Sequence, residues 1–560
     1  MEGLVMNEVV EAGQWAQNYM PVADNIWLSG FVALLPILLF LACLVWFKLK
    51  GWLAASLTVG LSAVIAFAVY GMPLNMVAMS FVQGFLTGLW PIAWIIIAAI
   101  FLYKIAVKTG YFEILKESVI AVTPDQRLQV ILIAFCFGAF LEGAIGFGGP
   151  VAITAALLVG LGLRPLYAAG LCMIANTAPV AFGAVGIPIT ALAKAVGLDA
   201  GDIAAMVGRM LPPLTLFVPF FIVFLMSGFK GVKETFPAVF VAAATFAGVQ
   251  YWSSNHLGPE LPDIISAIAA IGVTSVFLKF WQPANIERAE NNTESSIVAK
   301  QYPLSQIILA WMPFILLVLT IGLWQMPFFA DLFKPGNALA STNIVWTIPG
   351  LDQLIIQQAP IVTNPTALGA DWKWTIIQNP GTAILLAALL SIIVLRANAT
   401  QVIESASETI KEMSIPVLTI GLVLAFAIIS KNSGQAATMG LALAHTGSLF
   451  PFFSPFIGWV GVFLTGSDTS SNLLFGPLQQ VTAKALDMPE VLFMAANTVG
   501  GVVGKMISPQ SIAIACAAVG LVGRESELFR FTLKYSIGFV VFIGIWTAII
   551  AYIIPGIIVG

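Results

Sequence analysis

Apolar stretches of about twenty residues, long enough to cross a bilayer as helices, recur along the whole chain. They lie near 28–47, 52–71, 90–107, 165–198, 203–228, 235–253, 264–280, 304–324, 380–396, 414–430, 488–521 and 531–556. Shorter or amphipathic segments at 72–88, 112–123, 400–413 and 436–449 fit interfacial helices or ordinary loop helices. The short alternating strands of an outer-membrane barrel are absent. The pattern predicts an all-α polytopic membrane protein of about twelve spans.

Two segments, 128–163 and 455–486, break the pattern. The first carries Phe140-Leu141-Glu142-Gly143-Ala144-Ile145-Gly146-Phe147-Gly148-Gly149-Pro150, and the second Phe463-Leu464-Thr465-Gly466-Ser467-Asp468-Thr469-Ser470-Ser471-Asn472. Irregular backbone at membrane depth is tolerated only where protein buries it or a wet cavity faces it. Each segment therefore reads as a re-entrant hairpin. After each comes a matching phrase. Ala175-Asn176-Thr177 leads to Gly186-Ile187-Pro188 and Ala195-Val196-Gly197-Leu198; Ala496-Asn497-Thr498 leads to Ser508-Pro509-Gln510 and Ala518-Val519-Gly520-Leu521. Pro188 and Pro509 remove a backbone donor and help interrupt each helix.

Basic residues favour cytoplasmic loops, which orients the chain. Lys48 and Lys50, then Lys104, Lys108, Lys116 and Arg127, then Lys230 and Lys233 fall inside. So do Lys279, Arg288 and Lys300, then Arg396 and Lys411, and finally Arg524 and Arg530. The N-terminal stretch has Glu2, Glu8, Glu11 and Asp24 but no basic residue, so both termini are expected outside, with no signal peptide. Lys108 falls inside and its counterpart Lys431 outside, so the copies have opposite orientation. Such duplicated, interrupted and inverted segments point to the binding site of an alternating-access transporter.

The layout that follows has an external segment 1–27, scaffold spans 28–89, and a first repeat 90–228 holding the hairpin 128–163. Linking spans 229–326, an external loop 327–379, and a scaffold span with an interfacial helix at 380–413 come next. A second repeat, 414–556, holds the hairpin 455–486.

Composition adds exclusions. Of 560 residues, 59% are hydrophobic and 9% charged, against about 25% charged in a soluble domain; mean hydropathy is +0.97. A net charge of −3 speaks against nucleic acid as a partner. Two histidines, and four cysteines in apolar segments without a CxxC pair, give no metal or haem site. No HExxH or GxSxG constellation is present, so the chain is not read as an enzyme. Expected partners are the bilayer and a small molecule; a homodimer is compatible with the sequence.

The polar residues at the breaks suit a small carboxylate. Ser467, Thr469, Ser470, Ser471 and Asn472 form a dense donor cluster, and helix N-termini after each break supply free N–H groups. Gly146 and Gly148, flanking Phe147, allow close backbone approach, or alternatively tight helix packing. Asn176 and Asn497, at equivalent places, either contact substrate or hold unwound backbone. Glu142 and Asp468 are candidates for proton coupling, since burial disfavours a charged carboxyl; the alternative is a capping or pairing role. Arg209 and Lys505 are possible carboxylate partners, or pair with those acids or snorkel.

At Glu142 to Pro150, Ala175-Asn176-Thr177-Ala178-Pro179-Val180-Ala181-Phe182-Gly183, Thr465 to Asn472 and Gly504-Lys505-Met506-Ile507-Ser508-Pro509-Gln510-Ser511, the chain resembles the bacterial L-lactate permease family. The resemblance extends over essentially the whole length, including Gly258-Pro259-Glu260-Leu261-Pro262-Asp263, and differs at Ile145 and Gly149, where the family commonly has Ala. It implies proton-coupled uptake of L-lactate, D-lactate and glycolate across a bacterial cytoplasmic membrane, with protons as coupling ion and no other cofactor. It also implies kinship with hairpin-containing elevator carriers. Glycolate permeases share the motifs. A sodium-coupled organic-anion carrier and a small-anion channel are the alternative readings.

Overall fold

Asn25 opens the first membrane helix, its side chain accepting from the N–H groups of Trp27 and Leu28, and Ile26–Val45 follows. The computed structural model describes residues 13–559 apart from 48, 147–148, 288–301, 363 and 523. Phe147 and Gly148, and the charges of Glu2, Glu8, Glu11, Lys48, Arg288 and Lys300, therefore lie outside the described residues. Among those described, ten helices are long and apolar enough to cross a membrane, or up to twelve if each of two bent pairs is one span. The fold is thus all-α and polytopic.

Helix Leu74–Thr87 is not a loose interfacial segment. It continues, through a break at Trp90 just ahead of Pro91, into Trp94–Lys108. Both halves lie along the 35-residue helix Ala399–Ser433. Asn432 Nδ2 donates to Ser80 Oγ at 3.0 Å near one end. Lys104 meets Glu412 at 2.8 Å and Lys108 meets Glu408 at 2.6 Å near the other. Between them, Cβ atoms at Gly84 and Gly88 would lie only 2.5 Å from the Cα atoms of Ala425 and Gly421, so small residues let the backbones touch. The boundary expected at 413/414 falls inside this unbroken helix. Its amphipathic start is ordered by a capping box of Asn398 and Gln401 and by the lysine contacts, so no separate interfacial helix forms.

Pro212–His256 is helical on both sides of Gly228, whose φ of 62° and ψ of −163° reverse the chain. Thr215 Oγ1 donates to Gln250 Oε1 at 3.2 Å, so the two arms run back to back as separate spans. Between the spans, the loop after Leu304–Gln325 forms small sheets. Asn343–Thr347 pairs antiparallel with Asp371–Thr375, and Trp15–Ala16 pairs in parallel with Ile355 and Ile356. No strand was expected in this loop. Gln17 Nε2 donates to the carbonyls of Lys431 and Asn432, and Trp27 packs on His445. Tyr552 reaches Ser448 O at 2.8 Å, so both described ends of the chain share one face.

The two interrupted segments are hairpins. The first consists of Gln126–Ala144 and Gly149–Gly160. Gln126 Nε2 donates to Leu161 O at 3.3 Å, which closes the hairpin at its base. Its first leg is 94% buried, whereas lipid-facing helices here are 33–50% buried, so this leg runs inside the protein. Arg127, with no exposed surface, bolts the base to Asp125 and Glu234, each at 2.8 Å. The second hairpin joins Phe450–Thr465 to Asp468–Ala485, held by Ser471 Oγ donating to Gly458 O at 3.1 Å and Gln479 Nε2 donating to Ser454 O at 3.2 Å.

The helix Phe450–Thr465 packs on Glu490–Gly504 through glycines. A Cβ at Gly458 would collide with Asn497 O, and one at Gly500 with Pro455 O. Backbone atoms cannot swing aside, so Gly500→Ala is expected to destabilise the protein by about 1–3 kcal/mol, the usual cost of overpacking. A lowered thermal midpoint in detergent, with Gly248→Ala (open space around its Cβ) as control, checks this.

Candidate functional site

Each broken span returns a polar side chain to a hairpin. Helix Pro165–Ala175 ends at Asn176, whose Nδ2 donates to Glu142 Oε2 at 3.0 Å. Val180–Val196 then departs at 66° to Pro165–Ala175. In the second copy, helix Glu490–Gly504 tightens into the turn Lys505–Ile507 before Ser508 caps Pro509–Ala518. That turn brings Lys505 Nζ to Glu142 Oε1 at 2.6 Å. Glu142 is 2% exposed and Lys505 8%. Glu142 thus carries a lysine on one oxygen and an asparagine on the other, the arrangement that makes a buried charge tolerable. Gly183 leaves room for it, since a Cβ there would stand 2.8 Å from Glu142 Oε1.

The hairpin tips meet at one cavity, lined by Glu142, Gly146, Gly183, Pro188, Ser467, Asp468, Thr469, Lys505, Gln510 and Ser511, among others. Gly146 has a φ of 59° and faces Ala184 so closely that a Cβ would stand 2.8 Å from its Cβ. Two helix N-termini open onto the cavity. Ser467 caps Asp468–Ala485 by accepting from Ser470 N at 3.2 Å, and Ser508 caps Pro509–Ala518 by accepting from Ser511 N at 3.2 Å. Their partial positive ends face the cavity beside the Lys505–Glu142 pair and the carboxyl of Asp468.

Asp468 differs from Glu142. It is buried, and neither carboxyl oxygen has a hydrogen-bond partner among the described residues. Its carboxyl lies against Gly501, where a Cβ would collide with Oδ1. Two acids, then, border the cavity in opposite conditions. One is paired, the other bare.

Several residues singled out in the sequence stand elsewhere. Asn472 Oδ1 accepts from Asn497 Nδ2 at 2.8 Å and Thr498 Oγ1 at 3.2 Å, while its Nδ2 donates to Pro188 O at 3.2 Å. Asn497 Oδ1 accepts from Gln479 Nε2 at 2.6 Å. Asn472 and Asn497 are thus tied into a buried network between the second hairpin and the broken spans, and neither lines the cavity. Ser471 is spent on Gly458 O, and Ser470 contributes its N–H to the cap rather than lining the cavity. The hydroxyl cluster faces several directions because helical residues 100° apart cannot all point one way. Arg209 bonds Asn255 Oδ1 at 2.9 Å and Ile557 O at 2.7 Å, so it is not a partner of either acid. Phe147 and Gly148 lie outside the described residues. Gly183, Gln510 and Ser511 went unrecognised as lining residues; the Ser508-Pro509 helix start was the available signal for the last two.

The family model for L-lactate permease matches residues 29–554. The L-lactate permease of Salmonella typhimurium is 55% identical over 96% of this chain and 98% of its own. The glycolate permease GlcA of Escherichia coli is 52% identical over 98% of this chain and 100% of its own. Among solved structures, the Alcanivorax borkumensis YdaH transporter aligns with a TM-score of 0.45 at 15% identity, over 83% of this chain and 86% of that one. With motifs, spans and near-complete coverage in agreement, the chain belongs to the L-lactate permease family, membrane permeases and not enzymes.

Proposed function

We propose that this chain takes up L-lactate, D-lactate and glycolate by proton symport across a bacterial cytoplasmic membrane, with both termini on the periplasmic face. L-lactate and glycolate are the substrates named for its relatives, and D-lactate is proposed as a 2-hydroxy acid of the same size. The observation that carries the reading is the buried Glu142–Lys505 pair lining the cavity between the hairpin tips. The cavity of ≈70 Å³, at about 10–15 Å³ per water-sized group, suits a solute of roughly five to seven heavy atoms. Small hydroxy acids fall in that range.

Coupling follows from charge. With Asp468, which no cation or donor contacts among the described residues, resting as the neutral acid, Lys505 and Glu142 neutralise each other in the empty site. An anion entering with both charged would leave one net negative charge in a membrane-buried site, which is costly to move. A proton on Glu142 breaks the pair and frees the ammonium, which then holds the substrate carboxylate beside the helix N-termini at 468–469 and 510–511. The loaded site is again neutral. Proton alone or anion alone leaves a net charge, so neither crosses by itself. The α-hydroxyl of the substrate faces the bare carboxyl of Asp468, which has bonding capacity to spare.

Movement between the two sides uses the inverted repeat. Supporting it, helix, hairpin and broken span follow in the same order after Lys108 and after Lys431. Asn472 bonds Pro188 O and Gln480 bonds Val196 O at 3.0 Å, which lays a leg of the second hairpin alongside the first broken span. The hairpins and broken spans travel as one loaded body, elevator-like, against the scaffold of Trp94–Lys108 and Ala399–Ser433.

In sodium-free proteoliposomes, an imposed inward pH gradient is expected to drive accumulation of labelled L-lactate, with glycolate and D-lactate competing. Uptake that requires a sodium gradient and ignores pH sinks the proton reading.

A further inference from the structure

The charged and polar residues make up only part of the cavity wall. The rest is apolar: Val180, Ala184 and Ile187 from the first broken span, and Ile514 from the second copy. The first three are buried and reach the cavity along an unusual backbone. Ala184, Val185 and Gly186 follow one another in the left-handed region, with φ of 46°, 58° and 72°. That conformation is costly for a β-branched residue and persists where the surroundings impose it, often at ligand clamps. Here Val185 is fully buried, and a Cβ at Gly186 would collide with Pro259 O, so the turn is held from outside. Ile514 stands on helix Pro509–Ala518, one turn beyond Gln510 and Ser511 and on the same face. Helical side chains lean toward the N-terminus, so Ile514 covers the turn that opens onto the cavity. Lys505 is the one cation among the described residues that line it.

We propose that Ile187 and Ile514, with Val180 and Ala184, form the pocket for the substituent on C2 of the substrate. They thereby set the class that the site accepts: 2-hydroxy monocarboxylates with a short apolar substituent. This rests on the substrate reading above, in which Lys505 takes the carboxylate and Asp468 faces the α-hydroxyl. With those two ends held, the third group on C2 meets the apolar wall. Hydrogen, as in glycolate, leaves the wall bare; methyl, as in lactate, covers part of it, and ethyl fills it. The branched substituent of 2-hydroxyisovalerate exceeds the roughly five to seven heavy atoms that the cavity holds. A second carboxylate, as in 2-hydroxysuccinate, would be buried against apolar side chains with no cation of its own.

Competition against labelled L-lactate counterflow in proteoliposomes tests the pocket without any imposed gradient. Glycolate, which has no substituent, is the reference for every ratio. In wild type, L-lactate is expected to compete about four-fold better than glycolate, the worth of one buried methylene. 2-Hydroxyisovalerate and 2-hydroxysuccinate are expected not to compete. Ile514→Ala removes most of one wall side chain. It is expected to raise competition by 2-hydroxyisovalerate, relative to glycolate, by about ten-fold or more, and to bring lactate within about two-fold of glycolate. Where that variant gives no folded protein, Ile514→Val, a loss of one methylene, replaces it with a smaller gain of about four-fold for 2-hydroxyisovalerate. A ranking of acids unchanged from wild type in the variant overturns the pocket, and so does 2-hydroxysuccinate matching L-lactate in wild type. The two readings fail differently. Wild-type protein without L-lactate counterflow sinks the substrate reading and the pocket with it; normal counterflow with an unmoved ranking sinks the pocket alone.

Discussion

Glu142→Gln is expected to abolish pH-driven accumulation of lactate and to leave lactate counterflow running. The amide copies the shape and neutrality of the protonated acid but neither gains nor loses a proton. In wild type, Lys505 Nζ lies 2.6 Å from Glu142 Oε1; in the variant that carboxylate charge is gone and the ammonium is permanently available. Substrate binds, the loaded site is neutral and crosses in both directions, and exchange persists. The empty site carries a lone buried ammonium. Moving an unpaired charge through the membrane interior costs at least about 2.5–3.5 kcal/mol on insertion scales, so the empty carrier does not return and net uptake stops. Labelled lactate counterflow beside pH-driven uptake, in the same vesicles, checks both halves. Retained accumulation, or equal loss of both, contradicts the assignment.

Lys505→Met is expected to remove both activities. The methionine fills similar space without the ammonium, so the substrate carboxylate meets only helix N-termini in a buried site. Truncating one partner of a buried, hydrogen-bonded charge pair in a binding contact costs about 2–5 kcal/mol, which corresponds to roughly 30-fold or more in substrate affinity. Glu142 loses its cation as well and simply retains a proton, so the protein remains folded with a neutral but blind cavity. Lactate-dependent thermal stabilisation of the purified protein should vanish in this variant, while its midpoint without lactate stays near wild type. Counterflow near the wild-type rate would mean that the lysine only braces the hairpin.

Much of this architecture was legible in the residues. Hydropathy gave the spans because a bilayer leaves helices little alternative. The hairpins showed through as glycine or hydroxyl runs inside apolar stretches; Gln126 with Leu161 ties the legs of the first, and Gln479 with Ser454 those of the second. Glu142 and Lys505 were each visible as costly charges in apolar surroundings, yet 363 positions separate them and only folding makes them partners. Residue type alone did not decide between the roles open to Arg209, Asn472 and Asn497. A buried asparagine must satisfy both amide ends, and here the protein itself does so. Local polarity does not reveal that Ala399–Ser433 is one helix, because Lys104 and Lys108 cover Glu408 near its amphipathic start only in the folded chain.

The proposed coupling requires a proton to move onto Glu142 when substrate arrives. Infrared difference spectroscopy of the reconstituted protein, recorded as L-lactate is added without sodium, observes that event. A protonated-carboxyl C=O band should appear with lactate in wild type, shift in deuterated buffer, and be missing in Glu142→Gln. A lactate-induced spectrum without such a band, or one whose band survives in Glu142→Gln, would contradict the account.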